Sequence, residues 1–174
     1  AGTAYSPVVP EALIDYMKKK PPIPGFIDLQ VNGFEGVDFS SSDLTEASFA
    51  EACRSLLGKG TVAFLPTVIT RPMAIYERNL PLMAKVMNQQ EFHGRLLGFH
   101  LEGPFISGEP GAVGAHDPRL VCVPDEDLLA RLCELAEGMV KLITVAPELA
   151  GVDRIIRKAA QCGIAVSLGH SLAT

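Results

Sequence analysis

The sequence predicts an α/β fold of about five parallel strands with four intervening helices, either an open doubly wound sheet or an incomplete (β/α)8 TIM-type barrel. Three observations carry this. Apolar β-prone runs alternate strictly with stretches of helical period. The runs are apolar on both faces, as parallel strands covered by helices must be. The polar residues of chemical interest collect just past the C-terminal strand ends, where both architectures build their sites. No G-x-G-x-x-G follows the first strand, which reads Gln30-Val31-Asn32-Gly33-Phe34, so a dinucleotide site is disfavoured. A complete barrel takes typically ~250 residues, and this chain has 174.

Residues 1–21 read as an irregular N-terminal segment, in which Glu11 to Lys20 can form a short helix after Pro10. Pro21, Pro22 and Pro24 stop it. From there, 22–174 reads as one continuous run of alternating strands and helices. Ile23 to Asn32 is the first strand, ending at Gly33, and Phe34 to Ser42 is a loop. Asp43 is the expected cap of a helix with Phe49, Cys53, Leu56 and Leu57 on its apolar face, stopped by Gly58 and Gly60. Thr61 to Leu65 is the second strand, with Pro66 at its exit. A helix begins near Pro72, and Pro81 is expected to kink it. Leu96 to Leu101 is the third strand, followed by a long loop from Gly103 to Pro124. Asp125 caps a helix through Leu128, Leu129, Leu132 and Leu135, closed by Gly138. Val140 to Val145, a helix over Val152 to Cys162, and a fifth strand over Ile164 to Leu168 complete the pattern.

Composition narrows the function. Apolar residues make up 48% and charged residues 20%, enough to bury a core and too little polarity for disorder. The net charge is −5, and the one basic run, Lys18-Lys19-Lys20, makes no nucleic-acid footprint. No apolar stretch reaches the ~18 residues of a membrane span. The first residues lack the basic start and apolar core of a secretory leader, so a cytoplasmic location is expected. Cys53, Cys122, Cys133 and Cys162 have no C-x-x-C spacing and read as buried reduced thiols.

Four strings could carry chemistry. In Gly98-Phe99-His100-Leu101-Glu102-Gly103, His100 and Glu102 share one strand face. A carboxylate there is costly unless used or paired. Glu102 is thus either a metal ligand or acid/base, or one half of a cross-sheet ion pair, while His100, deeper in the strand, reads as a hydrogen-bonded support. In Ser167-Leu168-Gly169-His170, the histidine is either a ligand or a capping core residue. His116, in Gly114-Ala115-His116, is either a substrate contact or a surface loop histidine. Asp28, Gln30 and Asn32 share a face of the first strand, and the two amides can orient water or substrate or simply close strand-end hydrogen bonds. His93, at the start of the third strand, has no assigned role, and Glu148 is either a site-face group or a loop-pairing residue.

In chain order, Pro24-Gly25-Phe26-Ile27-Asp28-Leu29-Gln30-Val31-Asn32-Gly33, Phe64-Leu65-Pro66-Thr67, His100-Leu101-Glu102-Gly103-Pro104-Phe105, Gly114-Ala115-His116, Thr144-Val145-Ala146-Pro147-Glu148 and Ser167-Leu168-Gly169-His170-Ser171 resemble the N-terminal part of N-acetylglucosamine-6-phosphate deacetylase, a branch of the metal-dependent amidohydrolase superfamily. The resemblance covers roughly residues 22–174. It implies a (β/α)8 barrel and hydrolysis of the acetamide of N-acetylglucosamine 6-phosphate to glucosamine 6-phosphate and acetate. It makes Glu102 and His170 metal ligands, Ala115 and His116 substrate contacts, and Gln30 and Asn32 water- or substrate-orienting groups. The amides stand where many amidohydrolases carry H-x-H, which implies one divalent metal, Zn2+ first, with Fe2+ or Co2+ as alternatives. The family's second metal histidine, its acid/base aspartate and its phosphate-binding arginine have no counterparts here, because no histidine or aspartate follows His170. No catalytic residue is therefore assigned, the aspartate is expected beyond Thr174, and the 174-residue chain alone is expected to be inactive. The loop from Gly108 to Val113 is longer than the family pattern. The resemblance further implies a homodimer of the complete protein in the cytoplasm, acting on a small amino-sugar phosphate. The competing readings are a non-catalytic truncated barrel module and another metal-dependent amidohydrolase, dihydroorotase-like or dipeptidase-like. The amides at 30 and 32 argue against the latter.

Overall fold

The computed structural model describes residues 25–174. The segment 1–21, the Glu11–Lys20 helix and the lysine run lie outside the described residues. Five parallel strands form one sheet that curls into half a barrel: β1 (Phe26–Val31), β4 (Thr61–Ile69), β5 (Phe99–Glu102), β6 (Val140–Val145) and β7 (Ala165–Leu168), neighbours in that order. Between them run α1 (Glu46–Leu57), α2 (Met73–Met87), α3 (Glu126–Leu135) and α4 (Val152–Gln161). Each crossover helix covers apolar strand surface, which is why the strands tolerate no alternation. Phe49, Phe64, Leu80, Phe99, Leu101 and Ile143 are fully buried in the resulting core.

The sheet departs from the expected elements where local chemistry outweighs pattern. The stretch read as a loop after β1 holds a small antiparallel hairpin, β2 (Gly33–Phe34) with β3 (Val37–Asp38). Thr45 rather than Asp43 caps α1, because the Thr45 hydroxyl accepts from the Ser48 amide while the Ser48 hydroxyl accepts from the Thr45 amide. β4 does not end at Leu65 but runs through Pro66 to Ile69. The β1–β4 register slips between Asp28 and Val31, beside the proline, and the Val31 amide donates to the Thr67 hydroxyl instead (3.0 Å). α2 continues past Pro81 to Met87.

The third strand starts at Phe99 rather than Leu96. Leu96 keeps a single bridge to Phe64, but Gly98 turns the chain with φ +137° and lies so close to Met139 that a Cβ would stand 2.4 Å from its carbonyl oxygen. Asp125 caps α3 as expected, accepting from the Asp127 and Leu128 amides. The thiols are less uniform than expected. Cys53 is buried, and burial pushes its pKa up to about 12, but Cys122 and Cys133 are half-buried and Cys162 is exposed. No helix among the described residues is long and apolar enough to cross a membrane.

A polar thread crosses the sheet beneath the strand ends. His100 Nε2 lies 2.8 Å from the Thr144 hydroxyl and its Nδ1 lies 3.3 Å from the Thr67 hydroxyl. The Thr67 hydroxyl donates to the Leu65 carbonyl, so His100 carries its hydrogen on Nδ1 and accepts from Thr144. Burial lowers the His100 pKa and keeps the ring neutral, against the pull of nearby Glu102. His100 is thereby a support joining β4, β5 and β6. The two end strands are open by contrast: Phe26, Ile27 and Leu29 on β1 and Leu168 on β7 are exposed.

Phe49 packs edge-on against Phe39 at a ring-centre distance of 5.0 Å, with both rings fully buried. Phe49→Ala should lower unfolding free energy by about 3–5 kcal/mol, read from urea denaturation. A loss below about 1 kcal/mol would contradict this packing.

Candidate metal centre

Glu102 is the last residue of β5, opposite Ile69 of β4 and Thr144 of β6. Four consecutive buried residues precede the turn, so the carboxylate is carried out of the core at the C-terminal rim of the sheet. Gly103 follows with φ +94°, and a Cβ there would lie 2.2 Å from the Thr70 hydroxyl oxygen. That approach lets the Thr70 hydroxyl donate to the Glu102 carbonyl (3.1 Å). The Glu102 side chain is only 9% exposed, and a lone buried carboxylate costs several kcal/mol unless it is compensated.

Two imidazoles supply the compensation. His170, just past β7, places Nε2 3.0 Å from Glu102 Oε1. His116, from the long loop after β5, places Nε2 3.8 Å from the same oxygen and 3.3 Å from His170 Nε2. The rings meet edge-on at 4.4 Å between centres. These imidazoles, His116 first and His170 after it, hold the Glu102 pKa down to about 2 against burial, which would raise it. The carboxylate is ionised at neutral pH.

The outer hydrogen bonds define which ring nitrogen faces inward as donor or acceptor. His170 Nδ1 lies 3.0 Å from the Ala112 carbonyl, which can only accept, so the hydrogen sits on Nδ1 and Nε2 turns a lone pair toward Glu102. Two electron pairs then face each other across 3.0 Å, an arrangement that requires a proton or a metal ion between them. His116 Nδ1 accepts from the Thr70 amide (3.3 Å), which puts the hydrogen of the neutral ring on Nε2. His116 therefore presents a hydrogen-bond donor at the edge of the pair.

The donor set fits a divalent ion. One carboxylate oxygen and two imidazole nitrogens lie within 4.8 Å of one another. A tetrahedral ion with ~2.1 Å bonds spaces its ligand atoms by roughly 3.4 Å, and Glu102 Oε1 and His170 Nε2, the two atoms with free electron pairs, stand 3.0 Å apart. The Ala112 carbonyl behind His170 has the place of the outer partner that metal-binding histidines commonly have.

The site opens into a cleft of about 650 Å³. Asn32, Ala115, His116, Glu102 and His170 line it, and so does the β2–β3 hairpin through Phe34 and Asp38. Gln30 is exposed on the edge strand and is not among the lining residues. His93 is exposed and bonded to the Asn88 carbonyl, away from the cleft. Sequence reasoning did not single out the hairpin, Thr70 or the Ala112 carbonyl. The Ala112 carbonyl and the Thr70 amide that meet the two histidines are main-chain groups, which leave no signature in residue type.

A parallel half-barrel with a buried carboxylate–imidazole cluster at its C-terminal rim has its ionisable groups where barrel proteins build their sites. The relatives are more particular, for they are N-acetylglucosamine-6-phosphate deacetylases. The enzyme of that name from Bos taurus is 39% identical over 153 residues, covering 86% of this chain and 37% of its own length. That from Haemophilus influenzae is 34% identical, covering 86% and 38%. Among solved structures, the deacetylase D267A mutant from Mycobacterium smegmatis, in complex with N-acetyl-D-glucosamine-6-phosphate, superposes with a TM-score of 0.77 at 30% identity, covering 87% of this chain and 38% of that one. The Pasteurella multocida enzyme gives 0.74 at 33% identity, with the same coverage. No protein-family model matches the chain. The chain thus spans less than two fifths of the length of the curated relatives it matches.

Loss of an outer-shell partner typically weakens metal binding about 10–100-fold, so loss of a ligand should cost more. Glu102→Gln should lower Zn2+ affinity by more than about 100-fold in equilibrium dialysis. Stoichiometric metal retained in that variant would refute Glu102 as a ligand.

Proposed function

We propose that this chain is part of a metal-dependent amidohydrolase that cleaves the acetamide of N-acetylglucosamine 6-phosphate, yielding glucosamine 6-phosphate and acetate. The observation that carries the reading is the facing pair of Glu102 Oε1 and His170 Nε2 at 3.0 Å, with the imidazole tautomer set by Ala112. The names of the relatives supply the substrate class.

In this reading Glu102 and His170 hold one divalent ion, Zn2+ before Fe2+ or Co2+, since oxygen and imidazole nitrogen suit all three. Such an ion, when bound, polarises the amide carbonyl and lowers the pKa of a water. The protein does the remainder. Ala115 and His116 contact the sugar amide, with the His116 Nε2–H donating to a substrate oxygen. Asn32, on the opposite wall, orients the amide or the water, with Gln30 beside it on β1. Hydrolysis needs a carboxylate that accepts the proton of the attacking water and returns it to the leaving amine. Glu102 is committed to its two imidazoles and is already ionised. We place that acid/base aspartate, the second metal histidine and the phosphate-binding groups in the remainder of the enzyme, beyond the stretch that the relatives share with this chain. A cytoplasmic homodimer is part of the same proposal.

The full-length gene product, loaded with Zn2+, should release acetate from N-acetylglucosamine 6-phosphate, and the 174-residue chain alone should not. Glu102→Gln should lower kcat/KM by at least about 1000-fold, or ~4 kcal/mol in the barrier. Absence of turnover in the full-length protein would sink the substrate assignment and favour a non-catalytic module. Turnover by the isolated chain would refute the division of labour.

A further inference from the structure

His170 stands in a backbone conformation that residues with a side chain avoid, with φ +51°. Such a conformation persists where surrounding contacts over-determine it, and it clusters at functional sites. The contacts here are specific. Before His170, the Gly169 amide donates to the Val145 carbonyl (3.1 Å). At His170 itself, the carbonyl accepts from the Ser107 amide (3.0 Å). After it, both oxygens of Glu148 grip the chain: Oε2 accepts from the Ser171 hydroxyl (2.7 Å) and Oε1 from the Leu172 amide (2.8 Å). The Ser171 hydroxyl oxygen in turn accepts from the Ala173 amide (2.9 Å).

The first two anchors are main chain to main chain and would form with many residue types. The third depends on one side chain from a different strand's exit loop, between β6 and α4. Glu148 faces solvent, where a carboxylate gains nothing from remaining fixed, yet both of its oxygens are engaged within two residues of His170. We propose that Glu148 is a positioning residue for His170: its carboxylate locks Ser171 and Leu172 so that the strained His170 backbone aims Nε2 at Glu102. This rests on the reading of His170 as a metal ligand. It adds a residue that touches neither the cleft nor the ion site and acts through the chain.

The test uses the full-length protein with Glu148→Ala, Glu148→Gln, Ser171→Ala and the Glu148→Ala/Ser171→Ala double variant. Circular dichroism establishes that each is folded. Zn2+ affinity by competition titration should fall about 10–100-fold in Glu148→Ala. Glu148→Gln keeps one acceptor and should recover part of the loss. The loss in the double variant should be smaller than the sum of the two single losses, since both changes remove the bond between the Glu148 carboxylate and the Ser171 hydroxyl. In metal-free protein, the imidazole nitrogen NMR signals of His170 should report one fixed ring environment in the parent and exchange-averaged signals in Glu148→Ala. Parent-like affinity, parent-like His170 signals, or an additive double variant would overturn the proposal. A parent protein that binds no Zn2+ would instead refute the metal reading, and the metal-free His170 signals would then decide the role of Glu148 alone.

Discussion

A carboxylate that is ionised and nearly buried organises the C-terminal rim of this half-barrel. Glu102 leaves the core at the end of β5 with little access to water, and its charge must be matched by groups brought from elsewhere in the chain. His170 from the end of β7 and His116 from the loop after β5 close on it, and the proton or ion that the facing Glu102 and His170 atoms require completes the match. Each imidazole is held from behind by a main-chain group, the Ala112 carbonyl for one and the Thr70 amide for the other. Opposite hydrogen positions result: a lone pair from His170 and an N–H from His116 converge on the same oxygen. One ring offers an electron pair and the other a hydrogen.

The parallel sheet makes this convergence cheap. Strands that all run one way deliver their last residues to one rim, so Glu102, Thr144 and His170 need little loop to meet. The longer connection after β5 is spent on folding back, bringing Ala112, Ala115 and His116 over the strand end. Beneath the rim, the neutral His100 ties β4, β5 and β6 together through Thr67 and Thr144. The charged group above thus rests on a layer whose polar atoms are paired.

Much of the fold was legible because Gly and Pro punctuate apolar runs. β6 occupies Val140–Val145 as read, and Asp125 caps α3, since each boundary is set by local chemistry. What was not legible depends on contacts distant in sequence or on main-chain geometry. Two-residue strands leave no period, so the β2–β3 hairpin read as loop although it walls the cleft. Asp43 and Thr45 are both competent caps, and the reciprocal bond with Ser48 decides between them. Pro66 read as a strand end because the slip in register beside it is invisible in the string. At the site, Glu102 and His170 were visible as ionisable residues closing apolar strands. The approach of His116 to both of them was not, because a long loop carries no pattern that states where its histidine lands.

In the proposed function Glu102 and His170 share a divalent ion rather than a proton. Anomalous diffraction at the zinc edge, from crystals of the full-length protein grown with Zn2+, tests it most directly. One strong peak should lie about 2.0–2.2 Å from both Glu102 Oε and His170 Nε2. A Zn2+-soaked crystal with no peak at that pair, or with zinc only at exposed Cys162, would contradict it.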